Sequence, residues 1–330
     1  VGSEMCIRDS IRVKKNFSII GIHDHSYLIG SENMEQMERN SQSSIRQRLW
    51  RIRAKHVILA TGAIERPLVF AGNDIPGVML CSAALEFYKL YGVSPGDRVV
   101  VLTNNDSAYS SVIELFNAGI SVPLVIDVRE KSNGNLPLKA KKLGIRVEFS
   151  KAISKVIGKK KVKAVELCSV VGEGAVLETI ICDSVLMSGG WTSTLNLWSH
   201  CGGKIKWDSK LNTLVPDESF PSINEFGRSF ITVLGSADGK FWPSDLFANI
   251  EKKLNILYSE LNLKKTKTIR YDIDKSIKGE TSSIFCVPEA ADENLKAKSF
   301  VDYQNDVKLT DLRIAACLLY TSPSPRDDEL

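Results

Sequence analysis

The turn at Ala60, Thr61 and Gly62 is the part of this sequence best suited to hold a nucleotide. It follows the apolar run 57–60, which is typical of a strand buried on both faces of a parallel sheet. Gly62 carries no Cβ, so a ligand can approach the backbone where the strand ends. These residue types predict a binding turn for a dinucleotide.

A second unit of similar design lies between residues 99 and 127. The apolar run 99–102 leads into an amphipathic helix predicted over 107–118, and the next strand, predicted over 122–126, ends at Asp127. A Rossmann unit places its ribose-binding carboxylate roughly 20 residues beyond the phosphate turn. Asp127 lies at about that separation, which makes it a candidate for this role.

The phosphate turn of this second unit departs from the glycine fingerprint. Small residues are needed near Thr103, Asn105 and Ala108, and only Ala108 complies. The close approach of a pyrophosphate is therefore hindered. We predict a Rossmann fold with a weakened or lost ligand site, and we expect Asp127 to be a solvated strand end.

Two further glycine turns repeat the pattern. Residues 182–190 (CDSVLMSGG) echo residues 55–63 (KHVILATGA), and the apolar run 230–234 enters another turn at 235–239. Each turn taken singly is more simply a loop. Their order and spacing together favour nucleotide-binding units.

The sequence does not support the common kinds of catalytic chemistry. A disulfide reductase needs two neighbouring thiols, one to attack and one to resolve, and no CxxC pair is present. His23 and His25 alternate on one face of a possible strand, but the pattern adds no thiol or carboxylate ligand there, so we expect no metal site. No nucleophile elbow, carboxylate pair or histidine triad is recognisable, and we predict no catalytic residue.

Composition narrows the possible partners. The chain has 330 residues, of which 43% are hydrophobic, and this suffices for one large or two modest cores. Its formal net charge is +4. Its lysine clusters, at 139–142, 159–161 and 264–267, lack interleaved aromatic residues, so we expect a solvated face and no nucleic acid. No apolar run approaches the roughly 20 residues that span a bilayer, and no secretory signal is evident. We expect no membrane association and a cytoplasmic location.

Both ends of the sequence differ in character from the interior. Residues 1–10 (VGSEMCIRDS) and 316–330 (ACLLYTSPSPRDDEL) are similar to translated adaptor sequence at the edges of metagenomic assemblies. We therefore expect the natural part to cover about 11–315 and to be a fragment of a longer gene.

Local patterns predict the elements that carry the turns. The predicted strands are a hairpin at 17–22 and 26–30, a strand at 49–52 after a polar loop at 31–47, and strands at 146–149, 152–157 and 162–168, the last two joined by a Lys159-Lys160 turn. Helices are predicted over 82–91 and 243–261, and Thr310 is predicted as the N-cap of a final helix.

Four stretches of the interior resemble the alpha subunit of heterotetrameric sarcosine oxidase. They are ATGAIERPLVFAGNDIPGVM (60–79), LTNNDSAYSS (102–111), MSGGWTSTLNLW (187–198) and KSFVDYQNDVKLTDLRIA (298–315). The first is shared with wider amine, opine and cyanide-forming oxidoreductase subunits, whereas TNNDSAY and FVDYQNDV are more particular to sarcosine oxidase. The order of the glycine turns is similar to that in thioredoxin reductase and its relatives among the pyridine nucleotide-disulfide oxidoreductases.

The resemblance implies an α/β fold with two Rossmann-like dinucleotide-binding domains of the thioredoxin reductase type, truncated, and a small C-terminal α+β module. The first FAD/NAD-binding domain comprises 11–95 and 189–262, an inserted degenerate Rossmann domain comprises 96–188, and the module comprises 263–315. The glycine-rich start of the first domain is expected upstream. We therefore expect the isolated chain to be inactive and to bind NAD weakly or not at all, because a helix N-terminus normally holds the pyrophosphate.

The same resemblance implies which residues line the NAD site. They are Ile19, Ala60, Thr61, Gly62, Gly235 and Lys240. Ile19 packs on the adenine in this scheme, and the two glycines face the dinucleotide. Lys240 pairs with phosphate or is simply an exposed loop lysine. Glu65 and Arg66 tie the turn to the following crossover segment.

The function implied by the resemblance is oxidative demethylation of sarcosine to glycine. Alpha holds a non-reacting NAD, smaller subunits and a flavin-containing beta subunit complete the hetero-oligomer, and the assembled complex contains FAD and FMN. Tetrahydrofolate accepts the one-carbon unit in a domain beyond this sequence, and hydrogen peroxide is formed. Two alternatives remain open: a non-catalytic scaffold subunit, or a subunit of another amine or opine oxidoreductase.

Overall fold

A computed structural model of the chain describes residues 12–23, 25–34, 46–224, 226–263 and 279–321. Its strands are β1 (Phe17–His23), β2 (Tyr27–Asn33), β3 (Gln47–Arg53), β4 (Val57–Leu59), β5 (Ala63–Glu65), β6 (Val78–Leu80), β7 (Arg98–Thr103), β8 (Ser121–Asp127), β9 (Val147–Phe149), β10 (Lys151–Gly158), β11 (Val162–Ser169), β12 (Glu178–Ile181), β13 (Ser184–Ser188), β14 (Trp191–Ser193), β15 (Ile205–Asp208), β16 (Thr213–Pro216), β17 (Ile231–Val233), β18 (Phe300–Asp302) and β19 (Val307–Lys308). Its helices are α1 (Cys81–Tyr91), α2 (Ser107–Asn117), α3 (Asn135–Lys142), α4 (Asn196–His200), α5 (Pro243–Glu260), α6 (Glu293–Lys296) and α7 (Leu309–Thr321), with a short 3-10 helix at Gly235–Asp238.

The first three strands form an antiparallel sheet in the order β1-β2-β3. Gly30 lies opposite Ile19, and a Cβ at Gly30 would overlap the Phe17 ring, so this position of β2 needs a residue without a side chain. The predicted hairpin and the predicted strand at 49–52 are confirmed. The polar loop is shorter than expected, because β2 continues to Asn33 and β3 begins at Gln47; residues 35–45 lie outside the described residues.

The largest sheet is parallel and has the order β6-β13-β7-β8-β9. Alternate residues of β7 enter different cores: Val100 and Leu102 face the β10-β11-β12 sheet, whereas Val99 and Val101 face the helices α1, α2 and α3. Covering both faces explains why the sequence of β7 is apolar without alternation. Each fully buried aliphatic side chain stabilises the fold by about 1.5–3 kcal/mol.

The second antiparallel sheet joins β10, β11 and β12 and confirms the predicted hairpin across the Lys159-Lys160 turn. The lysines at 139–142 and 159–161 are exposed, as expected for a solvated face. Residues 264–267 lie outside the described residues. The predicted helices over 82–91 and 243–261 are confirmed by α1 and α5.

The final helix differs from the prediction at its start. Helix α7 begins at Leu309, so Thr310 lies inside it, and the prediction of Thr310 as N-cap is wrong. The Asp311 carboxylate accepts a hydrogen bond of 2.8 Å from the Lys308 backbone N–H. This bond is one half of a capping box, in which the third helical residue accepts from the N–H of the N-cap residue, here Lys308. The helix therefore begins two residues earlier than predicted. Of the two atypical ends, residues 1–10 and 322–330 lie outside the described residues, and 316–321 continue α7.

Within the described ranges, no helix has both the length and the apolar composition that crossing a bilayer requires.

Candidate functional site

The first candidate site lies where β4 and β17 end side by side. These strands pair in parallel, and the Leu234 N–H donates to the Leu59 carbonyl at 2.9 Å. Because parallel strands present their carboxyl ends at one edge, the turn after Leu59 and the turn after Leu234 meet there. The structure thus brings the two predicted glycine turns together, including Gly62 and Gly235.

The two turns are held to β14 and to the residue that follows it. The Thr61 hydroxyl donates to the Thr194 carbonyl at 2.7 Å, and the Thr194 N–H donates to the Gly62 carbonyl at 3.0 Å. The Ser193 hydroxyl donates to the Ser236 carbonyl at 2.9 Å. These bonds fix both turns relative to β14.

Gly62 is favoured by its backbone conformation, and the space beside it is open. Its φ is +77°, and that of Gly235 is +73°, both in the left-handed region that favours glycine. A Cβ on Gly62 would meet no neighbour closer than the Ser236 hydroxyl at 4.0 Å. The surface beside Gly62 is therefore open for a ligand to approach, and the exposed residues Ala60 and Thr61 lie beside it.

The other two predicted residues lie apart from this opening. Ile19 is half-buried in β1 and packs against the core that contains Val57 and Leu59. Lys240 lines a cavity of about 880 Å³ beside α5, and Thr61 and Gly62 do not line that cavity. The roles of Ile19 at an adenine and of Lys240 at a phosphate stay predictions.

The cavity beside α5 has a balanced electrostatic character. Lys253 lies in it and is paired with Asp238 at 2.7 Å and with Glu218 at 2.6 Å, and it also donates to the Val233 carbonyl. The Lys253 charge is neutralised by these neighbours. We therefore place the candidate nucleotide site at the edge formed by residues 60–62 and Gly235, here called the Gly62 edge, and not in this cavity.

The second candidate site is the turn between β7 and α2, where Asn105 stands at a glycine position of the fingerprint. Its side-chain oxygen accepts from the Ser107 N–H at 3.0 Å, and its amide nitrogen donates to the carbonyl of Ser188 at 3.1 Å and to its hydroxyl at 3.0 Å. The Asn105 side chain, 1% exposed, ties the start of α2 to the end of β13. It fills the space that a pyrophosphate needs.

An ionic cluster lies beside this turn, in the space between the carboxyl ends of β7 and β8, here called the second cleft. Arg129 donates to Asp106 at 2.8 Å and to Asp127 at 2.7 Å through Nη2, and its Nε donates to Asp127 at 2.9 Å. The Tyr109 hydroxyl donates to Asp127 at 2.8 Å, and burial together with this carboxylate raises the pKa of Tyr109. The Asp106 carboxylate also accepts from the Ser132 hydroxyl. We call Asp106, Tyr109, Asp127 and Arg129 the buried cluster.

The expectation that Asp127 is a solvated strand end is wrong. Asp127 is fully buried, and its oxygens accept bonds from Tyr109 and from the backbone and side chain of Arg129. A ribose-binding role is also unsupported, because these bonds use the carboxylate. Arg129 was not recognised from the sequence, although its position two residues after Asp127 places both side chains on the same side of the chain.

Residues 279–287, here called the covering segment, lie across the mouth of this cleft. The Ser282 N–H donates to the Asn104 carbonyl at 2.8 Å, and the Asn104 amide donates to the carbonyls of Ser282 and Ile284. The Glu280 N–H donates to the Asp106 carboxylate at 3.0 Å. The cleft is therefore filled and covered by the chain itself. The predicted boundary at residue 263 stays a prediction.

Glu65 ties the first turn to the crossover segment, as expected. It is buried and accepts from the N–H and hydroxyl of Ser82 at 2.8 and 2.6 Å, at the start of α1. Burial raises the pKa of Glu65, although hydrogen bonds from Ser188 and Ser82 oppose the shift.

We expect replacement of Glu65 by glutamine to be less harmful at pH 7 than near pH 5. The raised folded-state pKa means that the contribution of Glu65 to stability is present below its unfolded value of 4.5 and is lost as pH rises through the folded pKa. Thermal denaturation of both proteins between pH 7 and 5 measures this, with the wild type gaining relative to E65Q as pH falls. A difference in Tm that does not change with pH contradicts the prediction.

The cysteines of the described residues form no disulfide. Burial raises the pKa of Cys168 to about 11 and that of Cys182 to about 12, and it also raises the pKa of buried Cys81. Within the described residues, no group of three or more His, Cys, Asp and Glu side chains is arranged to hold a metal ion.

We expect iodoacetamide at pH 8 to leave Cys168 and Cys182 unmodified in the folded protein, because only about one Cys168 in a thousand is then a thiolate. Exposed Cys317 is the internal control and is expected to react. Peptide mass mapping measures both, before and after unfolding in guanidinium. Rapid native modification of Cys168 contradicts the burial argument.

The fold defines a class: α/β proteins with the Rossmann-like architecture of thioredoxin reductase. A solved thioredoxin reductase from T. acidophilum superposes with a TM-score of 0.52 at 16% identity, covering 76% of this chain and 76% of that chain. At this identity the likeness shows the fold alone. It confirms the expected α/β, Rossmann-like fold.

The sequence relatives are more particular. The alpha subunit of sarcosine oxidase from Rhizobium meliloti (strain 1021) is 29% identical over 309 residues, covering 93% of this chain, and that from Corynebacterium sp. (strain P-1) is 34% identical over 209 residues, covering 61%. An opine oxidase subunit from Rhizobium meliloti is 25% identical over 184 residues, covering 50% of this chain and 34% of that one. No protein-family model matches the sequence. The resemblance to sarcosine oxidase alpha subunits is confirmed.

The chain spans only part of these relatives. It covers 29% of the length of the Rhizobium sarcosine oxidase chain and 21% of that of the Corynebacterium chain. Relatives and fold neighbour alike are oxidoreductases or their subunits, which supports the expectation of an oxidoreductase subunit.

Proposed function

We propose that this chain holds NAD at the Gly62 edge, as the nucleotide-binding part of a sarcosine oxidase-type alpha subunit. The observation that carries the proposal is the meeting of two left-handed glycine turns, at Gly62 and Gly235, at the carboxyl ends of paired parallel strands. Ligands of open α/β sheets bind at such ends. The second cleft is already filled by the buried cluster, so one nucleotide site is proposed.

The residues at this edge fit a dinucleotide in a binding role. Gly62 allows backbone approach, and the bonds of Thr61 and Thr194 hold the turn in one conformation. Lys240 follows the second turn, where its backbone N–H donates to the Gly235 carbonyl at 3.2 Å, and it lines the cavity beside α5. A contact between Lys240 and a phosphate is part of this proposal. In this proposal NAD is bound and does not react, and the residues of this chain position it.

In the assembled enzyme we propose that sarcosine is oxidised to glycine on a flavin of a beta subunit. FAD, FMN, tetrahydrofolate as one-carbon acceptor, and hydrogen peroxide as product belong to that proposal, as do the smaller subunits of the hetero-oligomer. Its support is that the relatives covering most of this chain are named as alpha subunits of sarcosine oxidase. Sequencing of the source DNA across both ends tests it, and a reading frame that ends soon after residue 315 contradicts it.

A second candidate is a subunit of an opine oxidase. The match to the opine oxidase subunit from Rhizobium meliloti supports it over half of this chain at 25% identity. A neighbouring gene for a folate-type domain or for an opine-specific partner separates the two candidates. A scaffold without bound nucleotide is the outcome if the following experiment fails.

The NAD proposal is tested by saturation-transfer NMR, which detects weak binding. We expect NAD signals with the wild-type chain and a loss of at least roughly tenfold in affinity for Gly62→Ala, because a Cβ there adds backbone strain and occupies the open surface. The matched control is Gly92→Ala, since Gly92 also has a positive φ, +65°, and a Cβ there would meet no atom within 4 Å. No signal with the wild type, or an equal loss in G92A, contradicts the proposed site.

A further inference from the structure

Arg66 carries a buried charge that the site described above does not use. It follows β5 directly, and its guanidinium carbon lies 4.4 Å from the centre of the Phe285 ring in the covering segment. Its Nε and Nη2 atoms are buried and have no hydrogen-bond acceptor within the described residues. A guanidinium remains protonated in proteins, so these donors need an acceptor.

The Glu65 and Asp106 carboxylates have other partners. Glu65, the preceding residue, accepts from Ser82, and Asp106 accepts from Arg129. Burial lowers the pKa of Arg66, with no charged neighbour in the described residues acting against it. The positive charge is therefore uncompensated by the residues around it, in contrast to Arg129, which has two carboxylate partners.

Glycine at position 190 allows the guanidinium to pack closely against this turn. Gly190 has a φ of +86°, and a Cβ there would lie 3.1 Å from Arg66 Nη2 and 2.9 Å from a methyl carbon of Thr281. The Arg66 and Gly190 backbones are joined by a hydrogen bond of 2.8 Å, which fixes the arginine relative to the turn. The Nε and Nη2 atoms are buried, whereas the Arg66 residue as a whole is half-buried.

We propose that Arg66 binds an oxyanion, a phosphate or a carboxylate of a small ligand, at the junction of the first turn, the inserted domain and the covering segment. The planar fork of a guanidinium matches either anion with two parallel N–H bonds. The Phe285 ring supports the other face of the guanidinium by a cation–π contact. The inference goes beyond the NAD proposal and does not depend on it, because Arg66 lies beside Gly190 and Thr281, whereas the atom nearest to a Cβ at Gly62 belongs to Ser236.

The test is thermal denaturation of the full chain in chloride, inorganic phosphate or acetate at equal ionic strength. We expect phosphate or acetate to raise the Tm of the wild type by roughly 3 °C at ten times the dissociation constant. Arg66→Met is expected to show no such rise and to be at least as stable as the wild type in chloride. A rise in Tm with phosphate but not with acetate indicates a phosphate-bearing ligand. A rise in Tm with acetate but not with phosphate indicates a carboxylate ligand.

The matched control is Arg51→Met, which removes the same charge from an exposed position of β3. It is expected to keep the full anion-dependent rise. If R66M does not fold, Arg66→Lys keeps the charge without the planar fork and is expected to lose at least half of the rise. No rise in the wild type, or the same rise in the Arg66 variant and in R51M, overturns the proposal. If G62A loses the NAD signals but keeps the anion-dependent rise in Tm, the two sites are independent. Either proposal can then fail without the other.

Discussion

Replacing Arg129 with methionine is expected to lower the free energy of unfolding by about 3–5 kcal/mol, because two buried carboxylates lose their shared cation. Asp106 and Asp127 are 1% and 0% exposed, and each is within 2.8 Å of Arg129 Nη2. Water cannot replace the guanidinium at these carboxylates without opening the cleft. Methionine keeps most of the volume, so the loss reports the charge and not a cavity.

Chemical denaturation followed by circular dichroism measures this loss. The matched control is Arg146→Met, whose guanidinium also pairs with two carboxylates, Glu148 and Glu178, but whose side chain is 46% exposed. We expect a loss below about 1 kcal/mol there, since water screens and replaces exposed pairs. Adding Asp127→Asn to R129M is expected to restore roughly 1–2 kcal/mol, because one unpaired buried charge is removed. Equal losses in R129M and R146M contradict the buried-cluster argument.

Replacing Asn105 with glycine restores a fingerprint residue, yet it is expected to destabilise the fold by about 3 kcal/mol without creating nucleotide binding. The change removes the acceptor for the Ser107 N–H and the donors to Ser188, all in a buried turn. Glycine also costs about 0.5–1 kcal/mol of backbone entropy. A pyrophosphate still meets the Asp106 carboxylate and the covering segment.

The control for N105G is Asn305→Gly, in an exposed turn where the amide bonds to Asp302 at 2.7 Å. We expect a change within about 1 kcal/mol there, because water replaces the lost bond. Denaturation midpoints compare stability, and calorimetric titration with NAD and NADP compares binding. Tight nucleotide binding by N105G shows that Asn105 alone had blocked the second cleft, which contradicts the role given to Asp106.

Together, these two variants test whether the buried cluster and Asn105 stabilise the parallel sheet in place of a bound nucleotide. In the wild-type protein a carboxylate, Asp106, lies at the phosphate turn, and Arg129 neutralises it from within the chain. An internal anion paired with an internal cation excludes a ligand phosphate by charge as well as by volume. The sheet is stabilised by these contacts, and nucleotide binding is left to the first domain in our proposal.

Strands and turns with strong periodic or apolar patterns can be predicted from the amino-acid sequence alone. Residues 99–102 form a parallel strand because a continuous apolar run satisfies burial on both faces. Residues 57–59 also form a parallel strand, but Ile58 is 45% exposed, so the prediction that this strand is buried on both faces is wrong. The glycine turns at Gly62 and Gly235 were recognised because the left-handed conformation restricts the residue type. These signals are local, so a single sequence contains them, and the motif order was sufficient for the family resemblance.

Which side chains fill the second cleft depends on long-range packing in the folded protein. The sequence predicts a solvated strand end at Asp127 because nothing in it marks Tyr109 and Arg129 as partners of this carboxylate. Arg129 is itself held by the Glu280 carbonyl, which lies 151 residues farther along the chain. No propensity or spacing encodes that Glu280 donates its N–H to Asp106. A buried charge is stabilised only where long-range packing places its counterion and donors, and that placement is a property of the folded chain.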